Sequence, residues 1–110
     1  MTGIEYLTKD LQLRKLEAED WGLYPMEGAE AVARLLNEGT RKVLDALMKS
    51  VQEGTGIMTA AKKAHLDMLP VIGQHGGSYG MDEPRSVLLG IIEEFIRKRF
   101  EVDVDLYWEM

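Results

Sequence analysis

An apolar stripe in the middle of the chain constrains the fold more than any other feature of the sequence. Between residues 25 and 53 its members recur in steps of three or four: Ala29, Val32, Leu36, Gly39, Val43 and Ala46. Such spacing keeps one face of a helix apolar. The period is closer to about 3.5 than 3.6 residues, which is typical of helices that pack lengthwise on a partner. We therefore predict a long helix from Pro25 to Glu53.

Gly39 is the point at which this prediction has an alternative. A glycine inside a helix costs about 1 kcal/mol relative to alanine, and close approach of a second backbone offsets that cost. In the alternative, Gly39 ends one helix and Thr40 caps the next. Because the stripe keeps its phase across Gly39, we favour a single helix. We expect Gly39, Val43 and Ala46 to form an interface with a partner.

Composition limits the classes of protein to which the chain can belong. Its 110 residues, 45% of them hydrophobic and 29% charged, fit one globular domain that spans residues 1–110. No apolar run is long enough to cross a membrane, and we expect a cytoplasmic protein. A net charge of −6 without a basic patch disfavours direct nucleic-acid binding. The absence of cysteine excludes disulfides and thiolate ligands.

The region before the central helix is ambiguous. In residues 3–16, a three- to four-residue spacing of apolar side chains favours a short helix, whereas alternation over residues 11–14 favours a strand. Trp21 and Tyr24 then flank a turn. Their aromatic rings either pin a loop to the core or form an exposed anchor for a protein partner, and we keep both as candidate interface residues.

A second helix is predicted from Met58 to Leu69, where Pro70 stops it. His65 lies on its apolar side and is interpreted as a hydrogen-bonded core residue. A flexible glycine-rich loop, residues 73–81, follows. Because backbone N–H groups before a helix can hold an anion, the candidate ligand-binding residues are those of the loop and the next turn: His75, Gly76, Gly77, Ser78, Tyr79 and Arg85. The alternatives are a mobile linker and a loop that a partner orders.

The last predicted helix runs from Asp82 to about Arg99. Its apolar residues cover more than half of its circumference, which predicts burial on two sides. Residues 101–108 then alternate as a half-buried strand does. We expect one face of that strand to complete a contact with another chain; its residues are Val102, Val104, Leu106 and Trp108.

These patterns predict a mainly α fold, a small bundle of three to four helices with one short C-terminal β-strand. We expect a non-enzymatic protein that acts through protein contacts as a homo-oligomer or adaptor. No nucleophile–base pair, metal site or cofactor motif is recognised. One alternative is a module that binds an anion or nucleotide through residues 73–85. Another is an acidic inhibitor that occupies a nucleic-acid site on its target.

Overall fold

A computed structural model describes residues 5–23, 27–76 and 82–106, and the side chains of residues 5–23, 27–73 and 83–106. Within these ranges the chain forms three helices: α1 (Ala29–Gln52), α2 (Ile57–Gly76) and α3 (Asp82–Phe100). Their buried faces share one hydrophobic core with residues of the N-terminal segment. The mainly helical bundle is therefore confirmed.

The central apolar stripe forms α1 as one helix that passes through Gly39. It begins at Ala29 and not at Pro25, because Gly28 precedes it in the left-handed region at φ 87°. It ends where Gly54 turns at φ 103°. There the Thr55 N–H donates back to the Ser50 carbonyl at 2.9 Å, which satisfies one of the helix's last acceptors.

The small residues of α1 lie at its contact with α2. The two helices are antiparallel, so Gly39 lies opposite Met68 while Val43 and Leu47 lie beside Ala60 and Ala64. A Cβ atom built on Gly39 would stand 2.9 Å from the sulfur of Met68. The expected close approach to Gly39 is thus made by a side chain of the same molecule.

Helix α2 does not stop at Pro70, which was the prediction, but continues to Gly76. A proline inside a helix removes the hydrogen bond to the carbonyl four residues earlier, here that of Leu66. Both Pro70 and Leu66 are exposed, so water can solvate the freed carbonyl. Residues 73–76 therefore belong to a helix and not to a loop.

The N-terminal segment, residues 5–23, does not form the helix that was favoured for residues 3–16. Leu7 and Leu13 form an antiparallel bridge instead. The turn between them is closed by a hydrogen bond from the Thr8 N–H to the Gln12 carbonyl, with Leu11 at φ 62°. Leu7 and Leu13 are both buried, because the turn brings the two leucines to the same core.

Helix α3 is buried on two sides, as its wide apolar surface predicted. Leu88, Ile91, Ile92 and Ile96 are each fully buried. After α3, residues 101–106 form no strand in the described part of the chain, so the predicted C-terminal strand is not found there. Glu101 adopts a left-handed conformation at φ 56°, and the chain then places Leu106 in its own core.

Within the described ranges, the structure contains no helix with the length and apolar character needed to span a membrane.

Candidate functional site

Three buried polar side chains determine how the segments around the core are held. The first is Asn37, which is 4% exposed on α1. Its Oδ1 accepts a hydrogen bond from Trp21 Nε1 at 2.9 Å, and its Nδ2 donates to the Leu16 carbonyl at 2.8 Å. A single amide thus attaches residues 16–21 to the helix.

The second is Glu94, which fastens the beginning of the N-terminal segment to α3. Its carboxylate accepts the backbone N–H groups of Tyr6 and Leu7, both at 3.0 Å. Lys98 Nζ lies 3.3 Å from the same carboxylate and 2.9 Å from Glu5. The hydrogen bond from Lys98 lowers the pKa of Glu5. The neighbouring Glu93 accepts the Leu106 N–H at 2.7 Å, so adjacent glutamates hold both ends of the described chain.

The third is His65, which joins α2 to the first turns of α3. Arg85 Nε donates to His65 Nε2 at 3.0 Å. Burial lowers the pKa of His65, and the positive charge of Arg85 lowers it further. The interpretation of His65 as a hydrogen-bonded core histidine is confirmed.

Among the described residues, a surface groove runs between residues 10–17 and α1, and we call it the Arg41 groove. It consists of two recesses that meet at Arg41. The wider recess measures about 660 Å³, and Lys15, Glu30 and Arg34 lie on its sides. Its base includes the buried Asn37, so the same residue fixes the N-terminal wall of the groove to α1.

The second recess is smaller, about 130 Å³, and half of the residues that line it are apolar. Leu13, Leu44 and Phe95 line it and are themselves almost fully buried. Leu11 and Met48 also line it and are half-buried. This recess therefore offers apolar side chains to a ligand beside the charged groups of the wider one.

The charge of the Arg41 groove differs from that of the whole chain. Four cations line it (Lys15, Arg34, Arg41 and Arg99), together with four acids (Asp10, Glu17, Glu30 and Asp45). The whole sequence has 13 Lys and Arg against 19 Asp and Glu, so its excess negative charge lies outside the groove. No ion pair of any of the four cations is found among the described residues.

Of the residues predicted to bind a ligand, the structure describes the side chain of Arg85 alone. His75 and Gly76 belong to the last turn of α2, and Arg85 is directed to His65. Gly77, Ser78 and Tyr79 lie outside the described residues. Because Arg85 donates to His65, it is not held toward an anion by the described contacts, and the anion site stays a prediction.

Several residues predicted to contact a partner are buried in the core of the chain itself. Trp21 and Leu106 are each 0% exposed, and Val43 is also buried. Of the two alternatives for Trp21, the loop pinned to the core is confirmed, and the exposed anchor is wrong.

The other predicted interface residues differ in their exposure. Val104 packs half-buried against the core, whereas Val102 is 39% exposed. Ala46 is exposed and lines a crevice between α1 and α2. Tyr24 and Trp108 lie outside the described residues.

Sequence reasoning missed Asn37, Arg41 and Glu94. Asn37 carried a signal in the sequence, because it follows Leu36 of the apolar stripe. A polar residue at that position lies at the edge of the buried side of α1, together with Thr40. Glu94 is 4% exposed on α3, although an acidic side chain is expected to face solvent. Arg41 carried no comparable signal, since its importance comes from the N-terminal segment opposite it.

Comparison of the chain with protein-family models, with curated proteins and with solved structures found no match. Among the described side chains, no group of three or more histidines and carboxylates is placed to hold a metal ion. The candidate site therefore depends on the geometry of the Arg41 groove.

Proposed function

We propose that the protein is a non-enzymatic protein-binding module and that the Arg41 groove is its binding surface. The observation that carries this proposal is the meeting of a charged recess and an apolar recess at one half-buried arginine. Arginine beside apolar side chains is the combination enriched at protein interfaces.

The roles of the buried polar side chains favour a binding site on the surface over a buried catalytic site. Asn37, His65 and Glu94 each hold another segment of the chain in place. A catalytic group has to be free to meet a substrate, whereas these three are engaged in the fold. The groove, by contrast, presents cations that have no ion pair among the described residues.

The test is site-specific photo-crosslinking in cells that express the protein naturally. A photoreactive amino acid replaces Lys15 or Arg34 in the groove and, as the matched control, Lys62, which is exposed on α2. We expect a protein adduct of discrete mass from the groove positions, absent from the control and lost when Arg41→Glu is added. Equal adducts at all three positions, or none from the groove, would refute the proposal.

A further inference from the structure

We infer that the partner of the Arg41 groove is an acidic peptide segment whose carboxylates alternate with large apolar side chains. This inference rests on the proposed function, because it concerns the same surface and defines the chemistry of its ligand. Its first basis is Arg41, which belongs to both recesses and is half-buried. Withdrawing a charge from water is unfavourable unless an opposite charge is provided, and none of the described residues forms an ion pair with it.

A guanidinium binds a carboxylate through two parallel hydrogen bonds, a geometry that lysine cannot reproduce. Arg34 precedes Arg41 by seven residues, which is about two turns on the same side of the helix. Arg99, which belongs to α3, also lines the apolar recess. The groove therefore offers separate cations along its length and not one concentrated positive centre.

The acids in the groove decide which kind of anion fits. Glu17 and Glu30 line the wider recess, and Asp10 and Asp45 line the apolar one. They would repel a continuous polyanion such as a nucleic acid or a polyphosphate. An acidic peptide avoids this repulsion, because its carboxylates can lie at the arginines while its neutral residues lie at the acids.

The apolar recess specifies the rest of the ligand. Leu44 and Phe95 at its base are almost inaccessible, whereas Met48 and Leu11 are half-buried at its sides. A leucine or phenylalanine of the ligand would bury these partly exposed side chains. Between Glu30 and Met48 the groove follows α1 for about 27 Å, which an extended segment of about eight residues covers.

The experiment selects peptides of about ten residues from a random displayed library against the full chain. Enriched sequences are synthesised, and their affinities are measured by fluorescence anisotropy for the unaltered protein, for Arg41→Gln and for Arg97→Gln. Arg97 is exposed and does not line the groove, so its variant makes the same chemical change elsewhere.

We expect the enriched peptides to carry aspartate or glutamate close to leucine or phenylalanine. Loss of a charge-assisted pair should weaken their binding about ten- to a hundredfold in Arg41→Gln and leave it unchanged in Arg97→Gln. Basic or uncharged consensus sequences, equal affinities for the two variants, no enrichment, or displacement of the peptides by inorganic polyphosphate would overturn the inference. If crosslinks still map to the groove in any of these cases, the proposed function stands and only this ligand class is wrong.

Discussion

The two long flanks of α1 are joined to their neighbours in different ways. On one flank, Gly39 and Ala46 allow α2 to approach, and the crevice that remains measures about 10 Å³, the volume of a single water site at most. On the other flank, Asn37 ties down the N-terminal segment through two hydrogen bonds, and the recesses beside it measure about 130 and 660 Å³.

This difference shows how one helix can provide both rigidity and a surface for binding. Apolar packing against α2 gains free energy from contact along the helices, and the crevice described between them is too small for a ligand. The N-terminal segment also buries Leu16 and Trp21 in the core, but its polar attachment through Asn37 leaves space between the segment and α1. The predictions below therefore compare single polar attachments of the N-terminal segment, to α3 and to α1, with the apolar contact between α1 and α2.

The largest effect is expected from Glu94→Ala. This change leaves the N–H groups of Tyr6 and Leu7 without their acceptor, and the free energy of unfolding should fall by about 3–5 kcal/mol. Urea denaturation measures the loss, and hydrogen exchange should show faster exchange at both amides. Glu93→Ala is the matched control, since it removes one acceptor, that of the Leu106 N–H. Equal losses in the two variants would contradict a dominant role for Glu94.

The apolar flank should be most sensitive to added volume at Gly39. Gly39→Leu has to displace Met68, so we expect a loss of about 1–3 kcal/mol. Gly39→Ala should be milder, because the contacted atoms are the sulfur and terminal methyl group of a flexible side chain.

A double-mutant cycle with Met68→Ala tests this contact directly. In the Met68→Ala background, Gly39→Ala should stabilise the protein by about 1 kcal/mol, the ordinary gain of helix propensity. Thermal and urea unfolding give the four free energies that the cycle needs. If the gain is the same in both backgrounds, Met68 does not restrict position 39.

Acidic pH should destabilise the fold through His65, which joins α2 to α3. Burial lowers the pKa of His65 from its ordinary value of 6.5, so the unfolded chain takes up a proton more readily than the folded one. Stability should therefore be unaffected above pH 6.5 and should decrease as the pH falls below it. The Glu5–Lys98 pair lowers the pKa of Glu5 from 4.5, so its contribution is lost only at lower pH.

Urea denaturation at about pH 7.5 and pH 5.5 measures this dependence. His65→Gln keeps an acceptor for Arg85 but cannot be protonated in this range. We expect the difference between the two pH values to shrink in that variant, and a difference of unchanged size would assign the acid sensitivity to another group.

The sequence predicted the parts of the fold that depend on local periodicity. The stripe from Ala29 to Ala46 was sufficient for α1, and the wide apolar surface after Asp82 was sufficient for α3. Pro70 was misread because its effect depends on whether the Leu66 carbonyl faces water, which only the packed structure reveals. The helix favoured for residues 3–16 was wrong because Leu7 and Leu13 pair across a turn.

The candidate site was not predictable in the same way. Glu94 is buried because Tyr6 and Leu7, which lie 88 and 87 residues away, place their N–H groups on it. The Arg41 groove likewise joins Lys15, Arg41 and Arg99 from three separate segments. A periodicity within one helix contains no information about such distant neighbours, so it could not indicate the groove.

The smallest effect on stability is expected at the residue that we consider most important for binding. Arg41→Gln removes a half-buried cation that has no ion pair among the described residues, so the free energy of unfolding should change by no more than about 0.5 kcal/mol. Asn37→Ala, at the base of the same groove, should cost about 2–4 kcal/mol, because the Trp21 indole N–H and the Leu16 carbonyl lose their partner. Urea denaturation of the two variants therefore separates a residue that builds the groove from one that is available to a ligand. A loss at Arg41 as large as that at Asn37 would show that the arginine holds the fold together, and the groove would then lose its central binding group.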